Sequence, residues 1–441
     1  MKILVVGTGY VGLVTGVSLS EIGHSVTCLD INEEKVNRLR QGISPIYEPG
    51  IEDLIKKNLS SGTLSFEVAD ENVYREADII YIAVGTPELE DGSANLTYIY
   101  QVCEDIANSI TKDVTVVVKS TVPVGTNHKV KAYIEECLQG KDLNIEIVSN
   151  PEFLREGSAI YDVFHGDRIV IGADNKEAGD LIEEINKPFG LSIYRTTICS
   201  AEMIKYASNA FLATKISFIN EISNICEKVN ADVEEVALGM GLDSRVGNQF
   251  LRAGIGYGGS CFPKDTKALK KIADNVEYDF SLLSAVIKFN NRQQRKLLEQ
   301  AVVDFGSLNQ KNIGVLGLSF KPNTDDIRES ASLVIVPELI KMGANVKVYD
   351  PVAMENAKRE LPNEVMYCEN AIETIEDTDL VFILTEWDEI KELPLATFIE
   401  KMSTANVYDG RNCYSLEEVE GMKVNYCSIG RKRILHQKVL A

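Results

Sequence analysis

Residues 2–12 read KILVVGTGYVG, and this stretch decides the fold of a chain of 441 residues. A short β-rich run leads into three glycines, and apolar residues then recur at helical spacing as far as Ile22. A second apolar run follows and ends at Asp30. The order of strand, glycine turn, helix, strand and acid predicts a dinucleotide-binding α/β unit.

The three glycines have separate tasks in such a unit. Gly7 permits the tight turn, Gly9 lets the backbone approach a pyrophosphate, and Gly12 lets helix and strand pack closely. Free N–H groups at the helix amino terminus favour the anion. Asp30 can accept hydrogen bonds from ribose hydroxyls and repel a 2′-phosphate, which predicts NAD as cofactor, although Lys35 and Arg38 nearby leave NADP open.

Strand-like runs continue along the first third of the chain, at residues 64–68, 78–84, 114–119 and 145–149. Polar residues follow several of these runs, among them Thr86, Thr121 and Glu152. Ligands of an open parallel sheet sit beyond the carboxyl ends of its strands, so these three residues are expected at the rim of the cofactor and substrate site. Each could instead be a helix cap.

A long helical pattern runs from Ser200 to about residue 229, with Ser200 as its expected N-cap. Lys205 and Asn209 lie one turn apart and therefore share a face. Their spacing fits a buried polar site or a solvated edge, and the pattern does not choose between them.

A second α/β unit begins near Asn312, and it lacks a GxGxxG motif. The predicted fold class is therefore α/β, with two doubly wound Rossmann-like domains joined by a long central helical segment. The predicted boundaries are 1–199 for the NAD-binding domain, 200–300 for the central segment and 301–441 for the last domain. A cleft between domains is a common location for a small-molecule site.

Composition excludes several classes of function. The chain has 45 basic and 66 acidic side chains, a formal charge of −21, which disfavours nucleic acid. No apolar run approaches the roughly 18 residues of a membrane span, and the amino terminus does not read as a signal peptide. Nine cysteines without CxxC pairs or zinc-like spacing predict free thiols in a reducing cytoplasm and no metal site.

One cysteine departs from the expected role as a core residue. Cys261 ends a glycine-rich loop and precedes a helical pattern in which Pro263 fits the first turn. A helix amino terminus and Lys264 both favour thiolate over thiol. The sequence therefore predicts a nucleophile at Cys261, the alternative being a structural thiol in a turn.

These motifs together resemble the UDP-glucose/UDP-N-acetylmannosamine dehydrogenase family over essentially the whole chain. The run GYGGSCFPKD at residues 256–265 is similar to the glucose branch of that family. The other matching segments are residues 7–13, 84–87, 119–125, 150–157, 200–209 and 317–328.

The resemblance implies an NAD site, a UDP-sugar site and a homodimer or higher homo-oligomer. The implied NAD contacts are Gly7, Gly9, Tyr10, Val11, Gly12, Asp30, Lys35, Thr86, Thr121, Glu156, Lys264 and Arg328. The implied UDP-sugar contacts are Glu152, Phe153, Leu154, Arg155, Glu156, Lys205, Asn209, Phe250, Leu251, Arg252, Ala253, Gly254, Gly258 and Lys321. Arg245 resembles the arginine that family dimers offer to the sugar of the neighbouring subunit.

The implied reaction is a four-electron oxidation of UDP-glucose to UDP-glucuronate through a thioester on Cys261. Lys205 and Asn209 would stabilise the oxyanion. Asp265, with Thr121 positioning a water, is the first candidate for the base, and Glu152 is the second. Three alternatives stay open: the same chemistry on a UDP-N-acetylhexosamine, a two-electron hydroxy-acid dehydrogenase, and a catalytically silent dinucleotide-binding regulator.

Overall fold

The computed structural model describes residues 1–138 and 140–436, which form two compact units. Unit 1 comprises Met1–Ser208 and Lys267–Tyr278, and unit 2 comprises the remaining described residues. Residues 437–441 of the predicted last domain lie outside the described residues. The expected α/β class with two Rossmann-like sheets is confirmed, whereas the three predicted domain boundaries stay predictions.

Unit 1 is built on an eight-stranded sheet with the order β3-β2-β1-β4-β5-β6-β7-β8. Its strands are β1 Lys2–Val6, β2 Ser25–Asp30, β3 Leu64–Val68, β4 Ile79–Ile82, β5 Val114–Val118, β6 Ile145–Ser149, β7 Ile169–Gly172 and β8 Ile193–Thr196. Every neighbouring pair is parallel except β6 and β7. The carboxyl ends of β1 to β6 therefore meet at one edge, as the sequence predicts.

Helices cover both faces of this sheet, which is why β1 reads as an unbroken apolar run. Ile3 and Val5 enter one buried cluster, and Leu4 and Val6 enter another on the opposite face. The helices are α1 Tyr10–Glu21, α2 Glu33–Arg40, α3 Ile51–Ser61, α4 Glu71–Glu76, α5 Thr97–Ser109, α6 Thr126–Cys137, α7 Ala159–His165 and α8 Lys176–Asn186, with a 3₁₀ turn at Lys187–Phe189.

The long helix α9 spans Ile198–Val229 and carries the chain from unit 1 into unit 2. The prediction that Ser200 caps it is wrong, because Ser200 lies inside the first turn. Thr197 occupies the residue before the helix, and its Oγ1 accepts a hydrogen bond from the Ser200 N–H at 3.3 Å. A threonine oxygen in that place satisfies an N–H group that has no partner within the helix.

Unit 2 contains a six-stranded sheet with the order β11-β10-β9-β12-β13-β14, parallel throughout. Its strands are β9 Asn312–Leu316, β10 Asn345–Tyr349, β11 Met366–Tyr367, β12 Leu380–Ile383, β13 Asn406–Asp409 and β14 Asn425–Ser428. The remaining helices are α10 Val233–Gly241, α11 Phe262–Asn275, α12 Ser281–Gln293, α13 Lys296–Phe305, α14 Ser332–Lys341, α15 Met354–Glu360, α16 Ala371–Ile375, α17 Asp388–Lys391, α18 Leu395–Lys401 and α19 Leu416–Glu420.

The basic run at residues 431–433 has a structural role in unit 2. Arg431 is buried and donates to Glu234 Oε2 at 3.0 Å, and Arg433 pairs with Asp304. The ammonium of Lys432 lies 3.8 Å from Glu420 Oε1, so all three cations of this run pair with carboxylates of the same chain. Separately, none of the helices in residues 1–138 and 140–436 is long and apolar enough to cross a membrane.

Candidate active site

The glycine turn after β1 has the shape that a dinucleotide requires. Gly7 has a φ of +97°, a left-handed conformation that favours glycine. A Cβ on Gly12 would lie 1.9 Å from the Gly7 carbonyl oxygen, so only glycine permits this approach of α1 to the turn. A Cβ on Gly9 would meet nothing within 4 Å, which leaves the amino end of α1 open to an anion.

Asp30, at the end of β2, is fixed beside this turn. One carboxylate oxygen accepts the Thr8 N–H at 3.0 Å and the Lys35 ammonium at 2.9 Å, and the other accepts the Asn32 N–H. Burial alone would raise the pKa of Asp30, but these bonds and the Thr8 hydroxyl outweigh it and lower the pKa to about 2. The carboxylate is therefore ionised at neutral pH, and Lys35 is bound to it. The residues present fit the adenosine ribose of NAD.

We expect Asp30→Asn to weaken binding of NAD and to narrow the preference over NADP. Loss of a charged hydrogen-bond acceptor is worth about 2 kcal/mol, or roughly a thirtyfold rise in the Kd for NAD. Titration of protein fluorescence with NAD and NADP measures both constants. Asp53→Asn, on an exposed position of α3, is the matched control, and an unaltered NAD/NADP ratio in Asp30→Asn would contradict the assignment.

A buried ion pair lies at the same edge of the sheet, beyond β6. The Lys205 ammonium on α9 donates to Glu152 Oε1 at 2.7 Å, with only 4% of the lysine and 6% of the glutamate side chain exposed. The other Glu152 oxygen accepts the Leu154 N–H at 2.6 Å. Lys205 also lies 5.5 Å from the centre of the Phe153 ring. Of the two interpretations of the Lys205 spacing, the structure therefore favours the buried polar site.

The other predicted rim residues lie in two loops of unit 1. Thr86 Oγ1 donates to the Thr121 carbonyl oxygen at 2.9 Å, so the segments after β4 and β5 are joined. Glu202 on α9 accepts the Gly125 N–H at 2.6 Å and the Asn127 N–H at 2.8 Å, which holds the end of the Thr121 loop. Thr86 and Thr121 are thus linked to one another rather than acting as helix caps.

Cys261 belongs to unit 2 and lies directly before α11, and its carbonyl oxygen accepts the Asp265 N–H at 2.8 Å. The thiol is partly exposed and lies 3.6 Å from the Ser260 hydroxyl. A helix amino terminus next to the sulfur favours the thiolate. The position predicted for a nucleophile is therefore accessible and electrostatically suitable.

The glycine loop before Cys261 is held by buried side-chain amides. Asn290 accepts the Tyr257 N–H at 2.8 Å and donates to the Tyr257 carbonyl oxygen at 2.9 Å. Asn220 accepts the Gly254 N–H at 2.8 Å, and Gln293 donates to the Gly254 carbonyl oxygen at the same distance. Because these amides satisfy backbone groups that no strand partner reaches, they fix the shape of the loop.

Asp265, Asn209 and Lys264 meet beside that loop in unit 2. Asn209 Nδ2 donates to Asp265 Oδ2 at 2.7 Å, and Lys264 Nζ donates to Asp265 Oδ1 at 2.8 Å. Asp265 is buried. The sequence predicts that Lys264 favours the Cys261 thiolate. In the structure the Lys264 ammonium is bonded to the Asp265 carboxylate, which offsets its charge.

The remaining predicted contacts are spread over both units. In unit 1, Tyr10 Oη accepts the Gly157 N–H at 2.6 Å, and Arg155 pairs with Asp162. In unit 2, Arg245 forms an ion pair with Asp243, and Arg328 forms one with Asp326. Arg252 donates to the Arg411 carbonyl oxygen, and the Lys321 ammonium lies over the Phe320 ring. Leu251, Ala253 and Gly254 are buried, Phe250 has a φ of +62°, and a Cβ on Gly258 would lie 2.3 Å from the Glu329 carbonyl oxygen.

Sequence reasoning missed the polar residues that support this machinery. Asn290 and Gln293 come from α12, more than thirty residues beyond the loop that they hold, and no local pattern signals such a pairing. Lys119 and Asn150 follow β5 and β6 and are bonded to each other at 3.1 Å. Their place after adjacent parallel strands was the one available signal.

Three family models match successive parts of the chain. Residues 1–190 match the NAD binding domain of the UDP-glucose/GDP-mannose dehydrogenase family, residues 199–292 its central domain and residues 314–416 its UDP binding domain. These matches together cover most of the chain.

Relatives are similar over almost the full length. A UDP-glucose 6-dehydrogenase of Bacillus subtilis is 57% identical over 99% of each chain, and one of Rhizobium meliloti is 43% identical over 98% of this chain and 100% of its own. Among solved structures, a UDP-glucose dehydrogenase of Pyrobaculum islandicum has a TM-score of 0.91 at 37% identity, covering 98% of both chains. A UDP-D-ManNAc dehydrogenase of Pyrococcus horikoshii has a TM-score of 0.87 at 26% identity, covering 98% of this chain and 99% of that one.

Proposed function

The chain belongs to the UDP-glucose/GDP-mannose dehydrogenase family, and from that premise we propose that it oxidises UDP-glucose to UDP-glucuronate with two NAD per sugar. Its cofactor is NAD, which accepts a hydride in each of the two oxidations. The glycine turn and Asp30 would hold that cofactor. The choice of sugar is supported by relatives named UDP-glucose 6-dehydrogenase, which are 40–57% identical to this chain over nearly its whole length.

The observation that carries the proposal is the setting of Cys261, a partly exposed thiol at a helix amino terminus in a loop held by buried amides. The first oxidation removes a proton and a hydride from the C6 alcohol and gives an aldehyde. The Cys261 thiolate then adds to the aldehyde carbon, and the resulting thiohemiacetal loses a second hydride to become a thioester. Water breaks the C–S bond, releasing the carboxylate and restoring the thiol.

Five further side chains would serve the acid–base and oxyanion steps. Lys205 and Asn209, one turn apart on α9, would donate to the oxygen on which negative charge develops. Asp265 would take the proton of the alcohol and later that of the hydrolytic water, with Thr121 positioning that water. Glu152 is the second candidate for the hydrolytic step, and its bond to Lys205 supports a shared role.

The UDP-sugar would be held by the segments that the resemblance assigns to it. We propose that the last domain, residues 301–441, supplies much of the nucleotide site, with Lys321 as one of its cations. The match of residues 314–416 to a UDP binding domain supports this assignment. In a chain of formal charge −21, such local cations would attract the diphosphate.

The test is the stoichiometry of NADH formed to UDP-glucose consumed. A ratio of two supports the thioester route, a ratio of one supports a two-electron dehydrogenase, and NAD binding without turnover supports a silent regulator. A parallel series with UDP-N-acetylhexosamines addresses the N-acetylated alternative, which the likeness to the ManNAc dehydrogenase favours. Faster oxidation of an N-acetylated sugar would overturn the proposed substrate.

We further propose that two copies of the chain pair through α9. Its residues Phe211, Phe218, Ile225 and Val229 are 65%, 49%, 55% and 63% exposed and recur at intervals of seven or four residues. This spacing is the pattern by which one helix packs against an equivalent helix, which is why a second copy is the proposed occupant. Without a partner, these four side chains would leave their apolar area exposed to water.

Phe218→Glu is expected to convert a dimer into a monomer, because a carboxylate would be buried at the centre of the pairing face. Sedimentation velocity at micromolar protein concentration measures the change. Tyr194→Glu, at a 56% exposed aromatic residue of β8, should leave the dimer intact. A wild-type monomer, or a Phe218→Glu dimer, would refute the pairing.

A further inference from the structure

Lys119 lies at the edge of the sheet where the predicted catalytic pair is found. β5 and β6 are parallel neighbours, with Val118 opposite Ser149. Lys119 directly follows β5 and Asn150 directly follows β6, and the Lys119 ammonium donates to Asn150 Oδ1 at 3.1 Å. Asn150 in turn donates to the Val170 carbonyl oxygen of β7 at 2.8 Å. Glu152 follows in the same segment, so the lysine and the carboxylate share one edge.

Two lysines at this edge act on the Glu152 carboxylate, Lys205 through a hydrogen bond at 2.7 Å and Lys119 through its charge alone. Burial alone would raise the pKa of Glu152, but the charge and hydrogen bond of Lys205, the Leu154 N–H and the charge of Lys119 together lower it. Burial lowers the pKa of Lys119 to about 8, a shift that the charge of Glu152 opposes and that of Lys205 reinforces. A further cation, Arg168, stacks on the Phe153 ring at 4.0 Å.

We propose that Lys119 is a positioning residue that keeps Glu152 ionised while the Lys205 ammonium is engaged with the oxyanion of the substrate. This inference rests on the proposed function. An ammonium that donates to the substrate gives less of its charge to its first partner. A buried carboxylate left with too little compensation takes up a proton, and a protonated Glu152 neither orients Lys205 nor accepts a proton from water. The second lysine removes that difficulty.

The pH profile of turnover tests the inference, with Lys119→Met, Lys119→Arg and Lys129→Met as variants. Lys119 lowers the pKa of Glu152, so its removal raises that pKa, and activity is then lost at a pH where the wild type still works. We expect the acidic limb of kcat to move up by about one pH unit in Lys119→Met and to return in Lys119→Arg. Lys129→Met, on an exposed position of α6, should follow the wild type.

Failure of this inference can be told apart from failure of the proposed function. If the wild type oxidises UDP-glucose and the Lys119→Met profile superimposes on its own, the role of Lys119 is refuted. If the wild type does not turn over UDP-glucose, the Glu152 carboxyl is titrated directly by ¹³C NMR of glutamate-labelled protein, with Glu152→Gln assigning the resonance. If the pKa of Glu152 is raised in Lys119→Met and in neither of the other two lysine variants, the inference is supported. If the titration of Glu152 is unchanged in Lys119→Met, the inference is overturned.

Discussion

Cys261→Ser will bind NAD and UDP-glucose yet lose release of UDP-glucuronate by about a thousandfold or more. Serine in this place keeps the loop and the start of α11 but offers a hydroxyl whose pKa is far above that of a thiol, so the aldehyde is no longer captured. The measurements are isothermal titration of each ligand and chromatography of the sugar nucleotides after prolonged reaction. We expect no more than one NADH per sugar, together with aldehyde that can be trapped by a carbonyl reagent.

Cys137→Ser is the control for this experiment, since Cys137 is also a partly exposed thiol but lies at the end of α6. It should turn over as the wild type does. Normal production of UDP-glucuronate by Cys261→Ser would exclude covalent catalysis and leave the glycine loop with a purely structural role.

Lys205→Met is expected to lower both stability and turnover. Removing the cation leaves Glu152 buried without its direct partner, which costs about 3–5 kcal/mol in the free energy of unfolding. Loss of an oxyanion donor lowers kcat by a factor of roughly 10²–10³. Urea denaturation gives the first quantity and initial rates give the second.

The double variant Glu152→Gln/Lys205→Met separates the two effects. Replacing the carboxylate by an amide removes the uncompensated charge, so stability should return most of the way to that of the wild type while turnover stays low. A double variant as unstable as Lys205→Met would show that packing, and not charge, dominates at this pair. Recovery of turnover would contradict the catalytic role of Lys205.

The first half of the Rossmann-like fold could be predicted because its signals are local. The glycine turn, the apolar run of β1 and the acid at Asp30 each follow from a conformational or burial requirement of a few neighbouring residues. The strands β7 and β8 were missed, and β8, at the sheet edge, is only half buried, so it lacks the apolar run that marks the buried strands. Their short runs carry little periodicity.

The candidate site was predictable only in part, for the same reason. Cys261, Lys205 and Glu152 stand in recognisable segments, but their partners depend on tertiary folding. The cap of α9 at Thr197 differs from the predicted one by three residues, because sequence patterns define the ends of a helix less sharply than its existence. The amide of Asn290 and the ammonium of Lys119 come from distant or unremarkable segments, and only the folded chain shows what they hold.

Glu202 has a mechanical consequence for unit 1. Its carboxylate clamps the segment after Thr121, and Lys205 lies one turn further along the same rigid helix. A displacement of the first turns of α9 would therefore move the Glu202 carboxylate and the Lys205 ammonium together, because both belong to one rigid helix. A ligand that shifts one of these two side chains would therefore also move the other, with no chain of side-chain rearrangements between them.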